Sequence, residues 1–513
     1  MYMKQCLVDI VMRTALIAAL SAGRVDGAVN GGACASVQST TGALTNGPVP
    51  GWEVPLRRDL EAMATRLAGT LKPWTVPDCT VRVQDHGAIG DGVTVNTKAL
   101  QKAIDACAAQ GGGVVLFSKG DFVTGTLDLR SGVMIEVAGG ARILGSTRLA
   151  DYPERIARRR TVMDTNMGMN QSLFFAEGCE RIGFRGRGVI DGRGTKQNFP
   201  GEQTVVSTPG RPFLIRVLDS RNILLDGITL KDSPCWMQNY LNCEDLIFQG
   251  ITVENQANWN NDGLDIDGCR NVIVRDCFLN SEDDALCFKG ASLKPTENVL
   301  VENCRIYSTC NAIKYGTDSQ GDFRNVLIRN VEAGGPAPTM RALTPRLAIS
   351  GIALEIVDGG TLENVMLSGI RLVRCESPVF LRLGDRGRVM PGMPRPAPGV
   401  LRRVILDHLT GDANGKRGSI ISGIPAASIS DVVMRNFHLV VAGGVGAWPP
   451  GKLIPEKIDA YPDGWMFGPL VPSHGFWIRH ARDVTFSGGR VVTEKPDARP
   501  VLATGVNVTN ISW

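Results

Sequence analysis

Most of the chain alternates short apolar runs with single polar or glycine positions, and one such run recurs. Each copy is an Asn, Asp or Arg followed by three apolar residues, as in Asn271-Val-Ile-Val and Asn298-Val-Leu-Val. The opening residues of seven copies are Asn222, Asp245, Asn271, Asn298, Asn325, Asn364 and Arg403. They are 23, 26, 27, 27, 39 and 39 residues apart. A period in the twenties with alternating strand residues indicates stacked β coils, a β-solenoid.

The two longer intervals predict loops inserted near Pro336–Arg346 and Arg386–Pro398. Such insertions usually wall one face of a solenoid, often the binding face. Because each coil contacts only its neighbours, a solenoid of this length can keep one continuous core. We therefore predict an all-β fold in which residues 81–513 form one solenoid domain.

Two segments of helical period precede the coils, Glu53–Ala68 and Lys98–Ala109. We expect the first to form a short N-terminal helical cap, with residues 29–80 serving as linker and cap. Further upstream, the apolar run Thr14–Ala22 follows basic residues and is too short to span a bilayer. This predicts a signal peptide within residues 1–28 and an exported protein, periplasmic or extracellular. No later stretch predicts a membrane span.

Composition narrows the remaining classes. The net charge of +4 comes without a basic run, so we expect no nucleic-acid partner, and the oligomeric state is open. The thirteen cysteines include no Cys-x-x-Cys pair, which favours small buried residues such as a stacked Cys277 and Cys304. Disulfides between Cys235 and Cys243, or Cys34 and Cys79, stay open. The chain lacks a dinucleotide fingerprint and a zinc motif, and we expect no cofactor and no metal.

Acidic residues concentrate in two neighbouring repeats, Asn260–Asp267 and Ser281–Lys289. Aligning Gly263-Leu264 with Ala285-Leu286 places Asp262 over Asp284, 22 residues on, which is about one coil. The alternation then predicts an outward face that gathers Asp262, Asp283 and Asp284. Residues expected near this set are Asp265, Asp267, Lys289, Asn311 and Lys314.

Carboxyl groups stacked about 5 Å apart titrate as a coupled set in which one member is driven towards neutrality. Acid/base cleavage of a glycosidic bond needs this inequality, a protonated acid beside an ionised carboxylate. Two other interpretations stay open. The acids, Asp265 and Asp267 above all, could form structural ion pairs with Lys289 and Lys314, or clustered oxygens could bind calcium.

Several phrases carry a family resemblance. They are Asn260-Asn261-Asp262, Asp283-Asp284, Arg187-Gly-Val-Ile-Asp191-Gly192 and Asp232-Ser-Pro-Cys-Trp236. From about Val81 to Trp513 the chain resembles the polygalacturonase family, glycoside hydrolase family 28, in its bacterial branch. The resemblance implies a right-handed parallel β-helix that hydrolyses pectin-type polysaccharides with inversion. It also implies that Asp283 is the general acid, and that Asp262 and Asp284 activate water.

The chain departs from that family at two places. Cys310-Asn311-Ala312 stands where the family has Gly-His-Gly, and Ala353-Leu354-Glu355 stands where it has Arg-Ile-Lys. The lost Arg and Lys normally hold a uronate carboxylate. Either the two lysines replace that charge, or Asn311 and Glu355 bind hydroxyls of a neutral sugar. The predicted substrate-binding residues are Asn260, Lys289, Asn311, Lys314, Glu355 and Trp259.

The expected partner is thus a polysaccharide or oligosaccharide. Two rival functions share this architecture. A polysaccharide lyase would need calcium and a basic residue to remove a proton from the sugar, and a non-catalytic glycan-binding solenoid would bind without cleaving.

Overall fold

The computed structural model describes residues 47–158, 170–201, 210–390 and 392–513. The predicted signal peptide lies outside these residues and stays a prediction. Strands make up 49% of the structure and helices 9%. No helix in the described part of the chain combines the length and the apolar content that a membrane crossing needs.

The strands form two parallel sheets, wound together as the coils of a right-handed parallel β-helix, as predicted. We call the smaller, twelve-stranded sheet the site sheet. Its strands are Leu127–Asp128, Ser172–Glu177, Phe213–Leu218, Gln238–Leu241, Leu264–Asp267, Leu286–Gly290, Asn311–Ser319, Ala348–Ile356, Cys375–Leu383, Ser419–Ser422, Phe476–Arg479 and Leu502–Thr504. Each strand of this sheet pairs with the next one along the chain, so one strand is added per coil.

The larger sheet has twenty-three strands and covers the other faces of the solenoid. Its strands are Thr80–Arg82, Asp91–Val95, Gly113–Phe117, Gly120–Thr124, Val133–Val137, Ala141–Gly145, Glu180–Arg185, Val189–Asp191, Arg221–Asp226, Thr229–Lys231, Glu244–Gln249, Thr252–Asn255, Arg270–Arg275, Phe278–Ser281, Thr296–Ser308, Phe323–Gly334, Thr361–Val373, Val400–Asn414, Ile429–Arg435, His438–Gly443, Ala481–Ser487, Arg490–Lys495 and Val508–Ser512. The described residues also form two α-helices, α1 (Glu53–Thr70) and α2 (Thr97–Ala109).

The sequence repeat marks a corner of each coil. Its opening residues adopt positive φ, near 57° in Asn298 and Asn325, and asparagine tolerates this left-handed conformation better than most side chains. The side chains also stack as a ladder of amides. Asn271 Nδ2 donates to Asp245 Oδ1 at 2.9 Å, and Asn298 Nδ2 donates to Asn271 Oδ1 at 3.3 Å. Backbone geometry and side-chain pairing therefore both favour Asn at this position.

Helix α1 does not cap the solenoid, which corrects the prediction for this segment. Its buried face, which includes Leu60 and Met63, packs across the outer surface of the larger sheet. The sheet residues beneath it are Ile273, Leu300, Leu327, Met366 and Ile405, the outward residues of five consecutive coils. This contact buries their outward apolar side chains. Helix α1 is therefore a strap along the side of the coils.

The N-terminal cap is helix α2. Its apolar stripe of Leu100, Ala103, Ile104 and Cys107 is buried in the main interior core, against the first strands of the solenoid. A coil that has no preceding neighbour would expose this end of the core, and α2 covers it.

Both predicted inserted loops border the site sheet. In the first, Leu343 N donates to Gln256 Oε1 at 2.8 Å, beside the segments that precede the strands of this sheet. In the second, Arg388 pairs with Asp318 near the end of a site strand. The loops thus stand at opposite edges of one outward face.

The cysteines in the described residues are free, including Cys235 and Cys243. Cys277 and Cys304 are buried on adjacent coils, as their spacing predicts. Cys34 lies outside the described residues.

Shortening a buried leucine in α1 tests its role as a strap. We expect Leu60→Ala to lower the free energy of unfolding by about 2–5 kcal/mol, because removing the side chain leaves a cavity between the helix and the outer sheet. Denaturant unfolding measures the change, with Asp59→Ala, an exposed neighbour, as the control. Equal stability of the two variants would contradict the packing of α1.

Candidate active site

The acidic repeats lie on the outward face of the site sheet in the predicted register. Leu264 pairs with Leu286, and Leu286 pairs with Ile313. At the start of these strands, Gly263 N donates to Asp284 O at 2.9 Å and Ala285 N donates to the Asn311 carbonyl at 3.0 Å. Asp262, Asp284 and Asn311 therefore occupy equivalent positions in three consecutive coils and form one column, as the alignment predicted for the two aspartates.

Asp283 is the accessible carboxyl of the predicted catalytic set. It is half-buried, whereas Asp262 and Asp284 are buried. Asn260 Nδ2 donates to Asp283 Oδ2 at 3.3 Å, and the backbone N–H of Asp284 donates to Oδ1 at 3.0 Å. Burial and the neighbouring Asp284 raise the pKa of Asp283. An accessible carboxyl that holds its proton is suited to proton donation.

Asp284 is surrounded by donors. Asn311 Nδ2 donates to its Oδ1 at 2.8 Å, and Lys314 Nζ lies 3.6 Å from its Oδ2. Burial alone would lower the pKa of Lys314, but the carboxylates of Asp284 and Glu355 raise it well above its usual value. The lysine therefore stays charged. Asp284 therefore contacts one amide donor and one ammonium group.

Asp262 shares one ammonium with Asp265. Lys289 Nζ lies 3.2 Å from Asp262 Oδ2 and 3.2 Å from Asp265 Oδ1. Burial raises the pKa of Asp265 to about 7, and burial together with the charge of Asp265 raises the pKa of Asp262 well above its usual value. One lysine balances one of two buried carboxylates, so this pair retains a proton near neutral pH. Asp284 is then the better base.

Three residues that were predicted to contact the sugar are buried, so a direct contact is wrong for them. The accessible fractions of Glu355, Asn311 and Lys314 are 0%, 0% and 1%, so a sugar cannot reach them. Glu355 Oε2 instead lies 3.2 Å from Lys314 Nζ. These residues form a buried chain, Glu355 to Lys314 to Asp284, that positions the base.

The other predicted residues are placed differently. Lys289 and Asn260 are nearly buried, while Trp259 is half-exposed, with Lys196 Nζ 3.4 Å from its ring centroid. Asp267 is buried and accepts a hydrogen bond from Ser292 N at 3.1 Å, so its role is structural. Burial raises the pKa of Asp267 to about 7.

The sequence alone did not indicate that the segment 461–468 covers part of this face. Tyr461 lies 5.7 Å from Lys314 Nζ, measured at its ring centroid, and Phe467 packs edge-on against Trp477 at 5.2 Å. The outward column that follows Lys314 is apolar under this cover, and its members are Ala353, Phe380, Ile420, Trp477 and Ala503. Ala353, at the position of the family's Arg, is thus buried beneath a lid of the chain's own residues.

Two side-chain groups in the described ranges could in principle hold a metal ion, Asp262 with Asp265 and Cys287, and Asp283 with Asp284 and Cys310. Burial raises the pKa of both thiols well above its usual value, so each keeps its proton and is a poor ligand. The lysine already balances charge in the first group. The donor set therefore does not favour a hard cation such as calcium.

On the outward face of this parallel β-helix, an accessible carboxyl group with a raised pKa lies beside a buried one, and acid/base cleavage of a glycosidic bond uses two such groups. Residues 119–310 match the family described as Glycosyl hydrolases family 28, and residues 80–151 match Rhamnogalacturonase A/epimerase, pectate lyase-like. The stretch that contains Asp262, Asp283 and Asp284 lies within the residues that match glycosyl hydrolases family 28.

Curated relatives agree over part of their length. A probable polygalacturonase of Vitis vinifera is 30% identical over 214 residues, which is 40% of this chain and 43% of the relative. An exo-poly-alpha-D-galacturonosidase of Dickeya chrysanthemi is 27% identical over 257 residues, or 40% of this chain and 41% of the relative. The chain thus spans less than half the length of these relatives.

Solved structures show the same fold over a longer range. An exopolygalacturonase from Thermotoga maritima superimposes with a TM-score of 0.63 at 21% identity, covering 75% of this chain and 92% of that one. A family 28 exopolygalacturonase from Yersinia enterocolitica gives 0.60 at 20% identity, covering 84% of this chain and 78% of that one.

The buried Glu355 predicts a pH dependence of stability. Burial raises its pKa to about 8, so the folded state binds this proton more tightly than the unfolded chain. Its contribution to stability is present below the unfolded pKa and is lost as pH rises through about 8. One such proton corresponds to a slope of up to about 1.4 kcal/mol per pH unit.

We expect Glu355→Gln to flatten this decline in denaturant midpoints measured from pH 5 to 9. Asp459→Asn, an exposed acid, is the control. An unchanged slope in Glu355→Gln would contradict the buried environment of this carboxyl.

Proposed function

We propose that the protein is a glycoside hydrolase that cleaves a pectin-type polysaccharide by acid/base catalysis. The observation that carries this proposal is the contrast within one pair of neighbours, an accessible Asp283 with a raised pKa beside a buried Asp284 that Asn311 and Lys314 contact. The match of residues 119–310 to glycosyl hydrolases family 28 supports the reaction class, and the names of the similar proteins from Vitis vinifera and Dickeya chrysanthemi support the pectic substrate.

In the proposed reaction, Asp283 donates its proton to the glycosidic oxygen as the bond to the sugar breaks. Asp284 accepts a proton from the attacking water, with Asp262 beside it on the same column. The family resemblance implies that the water approaches opposite to the leaving group and that the anomeric configuration inverts. Trp259, half-exposed next to Asn260, offers an aromatic surface to a sugar ring.

A lyase reaction is less well supported by the same site. It needs an unprotonated basic residue, but neighbouring carboxylates raise the pKa of both Lys289 and Lys314 well above the usual value. Both lysines are therefore charged at the pH where a lyase base must be neutral.

We expect Asp283→Asn and Asp284→Asn each to lower kcat by about 10²–10⁴-fold, because each removes one proton-transfer group. Reducing ends released from pectic polysaccharides measure the rate, and NMR of the first product measures its anomeric form. Asp245→Asn is a matched control, since it makes the same chemical change on the amide ladder outside the site. Wild-type rates in either site variant, or unsaturated products that absorb in the ultraviolet, would contradict the proposal.

The covering segment favours attack at a chain end. Phe467 and Val471 pack on the outward face from Ala353 onwards, so a polysaccharide bound at Asp283 cannot continue over those coils. A chain terminus must then lie near Tyr461. We propose an exo mode, in line with the names of several relatives.

The mode of attack is tested by following viscosity and reducing ends together on polygalacturonate. We expect reducing ends to rise while viscosity falls slowly, because cleavage near an end shortens each chain little. A rapid loss of viscosity at low conversion would show internal cleavage and rule out this mode.

A further inference from the structure

The two lysines on the floor of the site are not available to a substrate carboxylate. Lys289 contacts Asp262 and Asp265, and Lys314 contacts Asp284 and Glu355. Their accessible fractions are 6% and 1%. An acidic sugar would also meet the surplus negative charge of the carboxyl groups around them. If the substrate carries uronate groups, their positive partners must lie elsewhere.

Two cations on the rim meet this need, one on each side of Asp283. Arg346 comes from the first inserted loop and donates its Nε to Thr309 O at 2.7 Å, one coil after Asp283. No hydrogen bond or ion pair within the described ranges engages its two terminal nitrogens. Lys196 lies on the other side, above the ring of Trp259, which belongs to the coil before Asp283.

Each cation is paired with an aromatic ring. Arg346 Cζ lies 5.6 Å from the ring centroid of Trp465, whose accessible fraction is 40%. Lys196 and Trp259 form the second pair. A sugar can stack on an aromatic face while its carboxylate pairs with the adjacent cation, so the two pairs combine the contacts that a uronic acid residue offers.

Both cations lie near Glu282, the residue next to Asp283. Burial and the charge of Asp283 raise the pKa of Glu282 to about 8, and the charges of Arg346 and Lys196 oppose that shift. The two cations therefore lie within electrostatic range of the residue next to the general acid. Adjacent coils are about 4.8 Å apart, so the coil of Thr309, which anchors Arg346, lies about 10 Å along the solenoid from the coil of Trp259.

We propose that Arg346 and Lys196 bind the carboxylates of the uronic acid residues on either side of the cleaved bond, replacing the Arg and Lys that this chain lacks at Ala353 and Glu355. This inference rests on the proposed function. Arg346 holds the residue on the covered side, towards Tyr461, and Lys196 holds the residue on the opposite side. Arg346 makes the stronger contribution, because its two free nitrogens can bind a carboxylate in bidentate fashion.

The test is calorimetric binding in an Asp283→Asn background, which prevents turnover. The probes are a short oligogalacturonate and its methyl ester, which has the same shape without the charge. We expect Arg346→Gln to weaken binding of the acid by about tenfold to a hundredfold and to leave the ester unchanged, since a charged hydrogen bond is lost. Lys196→Gln should act in the same direction with a smaller effect, and Arg346→Lys should restore part of the loss. Lys72→Gln removes a charge just after the end of α1, away from the site sheet, and serves as the control.

Equal loss for acid and ester would assign Arg346 a steric role and overturn the inference, as would unchanged binding of the acid. The proposed function is judged separately by Asp283-dependent release of reducing ends. Hydrolysis of an uncharged glycan that needs Asp283, without binding of the acid, would leave the hydrolase standing and refute the uronate contacts.

Discussion

Parallel stacking of coils is the constraint on which the rest of the structure depends. Each side chain lies about 4.8 Å from its equivalents in the coils before and after it, so every column must be compatible with itself. Apolar columns fill the interior, and asparagine columns pair their amides at the corners. Acidic columns are the costly case. Here Lys289 and Lys314 each lie between two carboxyl groups and reduce the repulsion between them. Asp283 and Asp284 still differ in their surroundings.

The proposed chemistry depends on the difference in surroundings between Asp283 and Asp284. Asp283 and Asp284 are sequence neighbours of the same residue type, yet one points to the accessible face and the other contacts an amide and an ammonium. The difference between the two carboxyl groups therefore arises from their surroundings, which include Asn311 and Lys314 from the next coil. Glu355, distant in sequence and fully buried, contributes by contacting Lys314 and holding it in place.

The repeat made much of this structure predictable. Register, coil size and the meeting of Asp262 with Asp284 follow from local alternation, because stacking repeats the same geometry in every coil. The remainder depends on contacts without a period. The place of α1 is fixed by outward apolar residues, such as Leu300, that look like ordinary strand residues in sequence. The burial of Glu355 depends on a segment more than a hundred residues later, and the rim cation Arg346 comes from an irregular loop.

The length of helix α1 also restricts the number of coils that can lie beneath it. Its eighteen residues rise about 27 Å, and the five outward residues beneath it, about 4.8 Å apart, span about 19 Å, so the helix covers the whole row. One coil more or less beneath the helix would need about three helical residues of compensation, nearly one turn, or the apolar faces would lose alignment. Repeat proteins commonly vary in length by gaining or losing whole units. In this chain the fixed length of the helix penalises such changes in the central coils, where Asp262, Asp283 and Asp284 lie.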